Sequence, residues 1–477
     1  MTIKNPSKYQ LALFENVANG TGHTVVKAVA GAGKTSSIVE ALTYVPHGLR
    51  TLFVAFNKSI AEELKKRAPH GVEVSTLHSY GLKVITRSLG RLRIDSHRVD
   101  DMVSAMHGKD SKTWDMRRDL AKTVSLAKGQ LASDEADIDA IIDTFGIESA
   151  RNGSRAAFIQ DVLKILIQCT DVSDGRIDFD DMIWLPVVLN LSQPKYDRVF
   201  VDETQDLNAA QIEMTLRAVN DNGRICAVGD PRQAIYGFRG ADSAAVDNVV
   251  SRLKATVLPL SVCYRCCKAV IREAQEVVPE IEYAPDADEG SVSEVTVSEM
   301  KKNARAGDFI LSRTNAPLIS LCMYFLKNGR PASIQGRDVG ASLAAFVKKS
   351  KAPTVGALRD YVEEWRGIEV ARLAAKHRDT QAVDDRAECI LALSEDAMTV
   401  SDVLESIESL FADKDEHSRI VLSSTHKAKG LERDRVWMLN STYRRRPGAE
   451  EDNLTYVAIT RARKTLFIVE GSVGQKK

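Results

Sequence analysis

The chain has 477 residues, of which 44% are hydrophobic and 27% charged, a length that suggests about three domains. That balance supplies apolar material for several cores and excludes a disordered or low-complexity chain. Lys plus Arg and Asp plus Glu are each 65, so the formal net charge is zero; this excludes a protein that coats a polyanion through a whole-body positive field, and any nucleic-acid contact must be a local groove. Seven cysteines are scattered except for Cys263, Cys266 and Cys267. The N-terminal stretch MTIKNPSKYQLALFENV carries no secretory apolar core, and no run approaches the roughly 18 apolar residues of a membrane span. A reduced, cytoplasmic chain without membrane contact is expected.

The first expected strand is Thr24–Val29 (TVVKAV), which is β-branched and runs into AGAGKT and the helical stretch SSIVEALTYV. Thr51–Phe56 (TLFVAF) and Val72–Ser75 follow as strands. From about Tyr80 to Ile177 apolar residues recur at helical spacing among dense charges, which predicts a mostly helical insertion. Strands return at Arg198–Val201 and Ile225–Val228, with Asp202 directly after the first and Asp230 just past the second. A second α/β section begins near Val257, with strands at Asp308–Ser312, Ile420–Ser424, Val436–Leu439 and Thr465–Val469. Between them lie the helical run LISLCMYFLKNG and a helical region over 345–414. The pattern predicts two α/β units, each interrupted by helices.

Ala28 to Thr35 fits the phosphate-binding loop at every fixed position but the first, where Ala28 replaces glycine. Gly31 and Gly33 let the backbone fold tightly, so that Ala30, Ala32 and their neighbours turn N–H groups toward a β-phosphate. Lys34 brings positive charge to the β- and γ-phosphates, Thr35 offers a hydroxyl to Mg²⁺, and a helix beginning near Ser36 adds its N-terminal dipole. A chance glycine-rich turn is the alternative; a strand before it and a helix after it are the context the phosphate loop requires. The strand ending in Asp202-Glu203 supplies the other half of such a site: Asp202 to hold Mg²⁺, Glu203 to orient and deprotonate an attacking water.

Asp202-Glu203-Thr204-Gln205-Asp206 resembles the DExQD signature of UvrD/Rep-type superfamily 1 helicases. Gly229 to Asp242 (GDPRQAIYGFRGAD) resembles motif III of that family, and Cys263-Tyr264-Arg265 stands where an Asn-Tyr-Arg segment is expected. Thr425-His-Lys-Ala-Lys-Gly-Leu-Glu432 is similar to motif V and Leu454 to Arg463 to motif VI. Ala55-Phe-Asn-Lys58 and Ser75-Thr-Leu-His-Ser79 match motifs Ia and Ib, and Gln10 suits a glutamine that precedes the phosphate loop. The blocks follow in order over nearly the whole chain. AFNKSIAEELKKR and TLHSYG are also similar to the F-box DNA helicase branch and its phage relatives, without an F-box.

The resemblance implies an α/β fold of two RecA-like P-loop motor domains, each with a mostly helical insertion. The first domain comprises 1–85 and 191–257 around an insertion at 86–190; the second comprises 258–344 and 415–477 around a short insertion at 345–414. It implies an ATP- and Mg²⁺-dependent DNA helicase, stimulated by single-stranded DNA, moving 3′ to 5′ and unwinding at single-strand/duplex junctions as a monomer. A translocase that displaces proteins and barely unwinds is the alternative. An ATP-binding switch without turnover is a third reading, disfavoured by the intact Glu203, Arg265 and Arg461. By resemblance Gln10 bonds adenine, Tyr264 stacks on it, Glu432 bonds the ribose beside Gly430, and Gln233 senses the γ-phosphate. Arg265 and Arg461 act as arginine fingers. DNA candidates are Phe56, Asn57, His78, Tyr236, Phe238, Arg239, Thr425 and His426, since single strands are held by aromatic stacking and a polar track. The stretch 337–424 is short for the family, and little follows motif VI, so a compact motor in a nucleoid or phage setting is expected.

Three further features read blandly. Cys263, Cys266 and Cys267 lack a second ligand pair for zinc. Asp178, Asp180 and Asp181 read as helix capping. Arg444, Arg445 and Arg446 read as a solvated loop, with a DNA-backbone contact as the alternative because arginine suits phosphate.

Overall fold

The computed structural model describes residues 3–108, 110, 113–147, 154–235, 237, 244–375, 380–411, 418–443 and 449–473. The chain divides into two units, Met1–Ser261 and Val262–Lys477. Each carries a six-stranded sheet whose pairings are all parallel.

The first unit runs α1 (Lys8–Asn19), β1 (Thr24–Ala28), α2 (Lys34–Leu42), β2 (Thr51–Ala55), α3 (Lys58–Arg67), β3 (Val72–Thr76) and α4 (Leu77–Leu89). Two short strands, β4 (Arg93–Ile94) and β5 (Arg176–Ile177), pair with each other, and among the described residues four helices lie between them in sequence. Those helices are Arg98–His107, Trp114–Gln130, Glu135–Phe145 and Arg155–Thr170. After the helix Asp181–Val188, strands β6 (Tyr196–Val201), β7 (Val219–Gly229) and β8 (Thr256–Leu260) complete the sheet in the order β3-β2-β6-β7-β1-β8. Val25, Val26, Leu52, Phe53, Val199 and Phe200 are at most 1% exposed. A parallel sheet covered on both faces demands such unbroken apolar strands, which is why they are legible without alternation.

The sequence starts the second α/β section at 258, but β8 pairs with β1 in the first sheet, and the units divide after Ser261. Pro259 and largely exposed side chains disguise β8, and proline is tolerated there because the strand is at the sheet edge. The helical insertion has a core of its own around Val103, Leu120, Val124, Ile138, Val162 and Ile165.

The second unit opens with a short pair, β9 (Val262–Cys263) and β10 (Glu282–Tyr283). Its sheet contains β11 (Ser291–Thr296), β12 (Phe309–Ser312), β13 (Ala332–Ile334), β14 (Ile420–Ser424), β15 (Arg433–Leu439) and β16 (Ala462–Glu470), in the order β11-β16-β15-β12-β14-β13. Among the described residues four helices, Arg337–Ser350, Val355–Ala374, Gln381–Leu393 and Val400–Leu410, lie in sequence between β13 and β14. Their Leu343, Leu358, Val362, Ile390 and Val403 join one core with Ile310 and Leu422 of the sheet. No helix among the described residues is long and apolar enough to cross a membrane.

Candidate nucleotide site and nucleic-acid track

In a parallel sheet every strand delivers its following loop to the same edge, where α/β folds bind ligands. At that edge of the first sheet β1 leads into the glycine-rich loop, β6 into Asp202 and β7 into Asp230. Gly31 (φ 67°) and Gly33 (φ 70°) lie in the left-handed region, where a side chain would strain the backbone. Gly33 is the N-cap of α2 and Lys34 its first residue, so the helix starts two residues earlier than the sequence predicts. Ala30 and Ala32 are buried, and the Val29 amide donates to the Leu260 carbonyl at 3.0 Å, tying the loop to β8. Ser36 Oγ accepts from Arg67 Nη2 at 3.3 Å.

Thr35 Oγ1 donates to Asp202 Oδ2 at 3.0 Å, and Lys34 Nζ lies 3.6 Å from Glu203 Oε1. Burial pushes the Asp202 carboxyl up, to about 7, and the neighbouring Glu203 adds to the push against Lys34 and Thr35. A hydroxyl and a buried carboxylate side by side form a hard oxygen-donor pair that suits Mg²⁺. Glu203 itself adopts φ 53°, ψ 43°, a left-handed turn that costs a non-glycine residue about 1–2 kcal/mol. The turn ends the strand abruptly and sends Asp202 and Glu203 to different partners.

The sequence does not reveal how the two acidic loops are joined. Gln205 Nε2 donates to Glu203 Oε2, and Gln205 Oε1 accepts the Asp230 amide at 2.9 Å. Asp230, whose carboxyl burial also pushes up, accepts from Gln233 Nε2 at 2.6 Å. Gln10 is 3% exposed; its Oε1 accepts the Ser7 amide at 2.9 Å in a capping box on α1, and its Nε2 donates to Ser37 Oγ of α2 at 2.9 Å.

In the second unit Arg265 pairs with Glu432 and its Nη1 donates to the Thr460 carbonyl at 3.4 Å. Tyr264 beside it is exposed, and Gly430 turns the chain at φ 85°. Arg461 is fully buried. Its Nε donates to the Val457 carbonyl at 2.8 Å, Nη1 to the Leu431 carbonyl at 3.1 Å and Nη2 to Thr460 Oγ1 at 3.1 Å. Burial, with Arg265 nearby, lowers its pKa to about 10. Cys266 Sγ and Cys267 Sγ donate to the Thr460 and Lys464 carbonyls at 3.6 and 3.3 Å. Among the described residues no group of three or more His, Cys, Asp or Glu is arranged to hold a metal.

The nucleic-acid candidates divide. The register Ala55↔Thr76 sets the ends of β2 and β3 side by side, so Phe56 and His78 leave the same sheet edge. Phe56 is exposed; Asn57 caps α3, its Oδ1 accepting the Ile60 amide at 2.9 Å. His78 stacks on Phe179, ring centroids 4.1 Å apart; Phe179 is 55% exposed and escaped the sequence analysis because its aspartate neighbours read as capping. Burial lowers the pKa of His78. Thr425 is fully buried, its hydroxyl donating to the Ser312 carbonyl at 3.3 Å and meeting the Tyr443 hydroxyl. His426 is partly buried in the next position. Tyr236, Phe238 and Arg239, and the loop arginines Arg444, Arg445 and Arg446, lie outside the described residues.

The aspartates flanking Phe179 do more than cap. Asp178 Oδ1 accepts the Asp181 amide at 2.7 Å and Asp181 Oδ2 the Asp178 amide at 2.8 Å. Both are buried and paired: Asp181 with Arg98 Nη1 at 2.7 Å and Lys128 Nζ at 2.8 Å, Asp178 with Lys128. Asp180 makes no cap bond; its Oδ2 accepts from Ser125. Charges in the core must be paired, so the capping expectation accounts for only part of this cluster.

The UvrD/REP helicase N-terminal domain family matches residues 12–254, and the UvrD-like helicase C-terminal domain family matches residues 366–472. The ATP-dependent DNA helicase PcrA of Staphylococcus epidermidis is 27% identical over 393 residues, 70% of this chain and 51% of that protein. The ATP-dependent DNA helicase PcrA of Bacillus subtilis is 28% identical over 300 residues, 55% of this chain and 38% of that protein. The protein of the same name from Staphylococcus aureus is 26% identical over 381 residues, 68% and 50% of the two chains. The chain thus spans about half the length of the curated relatives it matches. The N-terminal match alone covers just over half of the chain and contains the glycine-rich loop, Asp202, Glu203 and Gln233. The chain belongs to the UvrD/Rep helicase family.

Proposed function

We propose that this chain hydrolyses ATP with Mg²⁺ when single-stranded DNA is bound, and uses the cycle to travel 3′ to 5′ and open duplex at single-strand/duplex junctions. One observation carries the proposal: Lys34, Thr35, Asp202 and Glu203 converge at one edge of a parallel sheet, with Thr35 bonded to Asp202 and Lys34 beside Glu203. Thr35 and Asp202 would hold the Mg²⁺, which supplies charge neutralisation at the β- and γ-phosphate oxygens. Backbone N–H groups from Ala30 to Ser36, with Lys34, bind the phosphates. Glu203 orients a water whose oxygen attacks the γ-phosphorus; the bond to the β-phosphate oxygen breaks, and the water's proton passes to Glu203. The products are ADP, inorganic phosphate and a proton.

The remaining roles rest on the resemblance and on side-chain chemistry. Gln10 and the exposed Tyr264 take the adenine, Glu432 with Gly430 the ribose, and Gln233 the γ-phosphate. Arg265 and Arg461 stabilise charge developing on the γ-phosphoryl group. Within its own unit the Arg461 guanidinium is bonded to the Val457 and Leu431 carbonyls. Phe56, Asn57, His78 and His426, joined by Phe179, contact DNA with Tyr236, Phe238 and Arg239; exposed rings offer stacking faces and the polar groups meet phosphate, whereas the fully buried Thr425 has its hydroxyl bonded within the fold.

ATP turnover measured with and without single-stranded oligonucleotide tests the proposal, alongside strand displacement from 3′- and 5′-tailed duplexes. Stimulation by DNA and opening of the 3′-tailed substrate are expected; turnover indifferent to DNA would defeat it. DNA-stimulated turnover without strand displacement would favour a translocase that strips proteins.

A further inference from the structure

We propose that Gln205 is a positioning residue that holds the water-activating carboxylate of Glu203 in register with the Asp230–Gln233 loop; this inference rests on the ATPase assignment above. A carboxylate on a long side chain retains several rotamers, and a general base is effective only within hydrogen-bond reach of the proton it takes. Glu203 is two residues past a strand end, on a left-handed turn, so its own backbone gives it little support. The Gln205 side chain, 1% exposed, supplies it. An amide carries donors and an acceptor on one rigid plane. Here the donor end is committed to Glu203 Oε2 and the acceptor end to the Asp230 amide.

Three details support a built arrangement. Asp230 continues the relay to Gln233, so one chain of hydrogen bonds runs from the water-activating group to the proposed γ-phosphate sensor. Thr204 Oγ1 donates to the Val228 carbonyl at 3.0 Å, fastening the same turn to β7. Gly229 also lacks the side chain that would spoil the contact: a Cβ there would lie 2.7 Å from Gln205 Oε1 and 3.1 Å from the Gln205 backbone nitrogen. Displacement of the Asp230–Gln233 loop would therefore pull on Glu203 through one side chain.

The test replaces Gln205 in two ways. Gln205→Leu removes both bonds. Gln205→Glu keeps an acceptor for the Asp230 amide, guarding the fold, but loses the donor to Glu203. Both variants should lower kcat for DNA-stimulated ATP hydrolysis about tenfold to a hundredfold, the usual cost of a misplaced reacting group, with KM for ATP nearly unchanged. In a Glu203→Gln background neither should lower the residual turnover further, because Gln205 acts through Glu203. Wild-type kcat in both variants, or an equal loss in the two backgrounds, would overturn the inference while leaving the ATPase assignment intact. A wild-type chain that does not hydrolyse ATP, or a Glu203→Gln chain that equals it, would overturn the assignment and this inference with it.

Discussion

Thr35 donates to Asp202 at 3.0 Å across 167 residues of sequence, so the phosphate loop and the acidic strand end are already joined in the fold. Asp202 is 2% exposed, and burial holds its carboxyl above the ordinary range. A buried carboxylate is a cost to folding unless something compensates it. In the absence of divalent cation, Asp202→Asn should leave the thermal midpoint unchanged or raise it, while lowering ATP turnover at least about a hundredfold. Mg²⁺ with ATP should raise the midpoint of the wild-type chain by mass action. Differential scanning fluorimetry and a phosphate-release assay on the same preparations check both halves.

The Asp178–Asp181 cluster behaves in the opposite way. Each partner there is paired, and removing one leaves an uncompensated charge in a dry core. Lys128→Met or Asp181→Ala should each destabilise the first unit by about 3–5 kcal/mol, read from urea unfolding. The loss should exceed that from an exposed pair such as Lys58–Glu62, which is worth at most about 1 kcal/mol.

Arg461 should split binding from turnover. Arg461→Ala should lower kcat about a thousandfold, as loss of an arginine finger does, and leave ATP binding by the first unit largely intact. Arg461→Lys should not rescue it, because a lysine cannot reproduce the guanidinium's fork of donors. Equilibrium binding of a fluorescent ATP analogue, beside turnover, measures the two separately.

The stacked pair His78 and Phe179 should bind a base. Phe179→Ala should weaken single-stranded DNA binding by about 1–3 kcal/mol. His78 has its pKa lowered by burial, so it is neutral around and above neutral pH. His78→Ala should therefore weaken binding there without reducing its dependence on salt, since no phosphate-neutralising charge is lost. Fluorescence anisotropy over a salt series decides this.

Much of the site was legible because its chemistry is local. Gly31, Gly33, Lys34 and Thr35 sit in one loop, and Asp202 and Glu203 are adjacent at the end of a strand whose apolar run announces it. Strands β1, β2, β3, β6, β7, β12, β14, β15 and β16 were legible from their own apolar runs, whereas β8, β11 and β13 were not. What escaped depends on contacts distant in sequence. Arg98 meets Asp181 across 83 residues and Lys128 meets Asp178 across 50, so a pattern that pointed only to capping concealed buried ion pairs. Gln205 lay in plain view within a motif, but its role needs the Asp230 amide, 25 residues on. Strand β8 was missed because Pro259 and exposed side chains belong to an edge, where the ladder with β1 occupies only one side of the strand.

The central claim is that nucleotide turnover belongs to the Lys34–Glu203 site and is driven by DNA. The most direct measurement is the steady-state rate of phosphate release from Mg²⁺-ATP, with and without single-stranded DNA, for the wild-type chain and for Lys34→Ala. The account predicts a rate that rises at least about tenfold with DNA in the wild type and is lost in Lys34→Ala, since the lysine's charge on the transferred phosphoryl group cannot be replaced. Turnover that persists in Lys34→Ala, or a wild-type rate that ignores DNA, would contradict it.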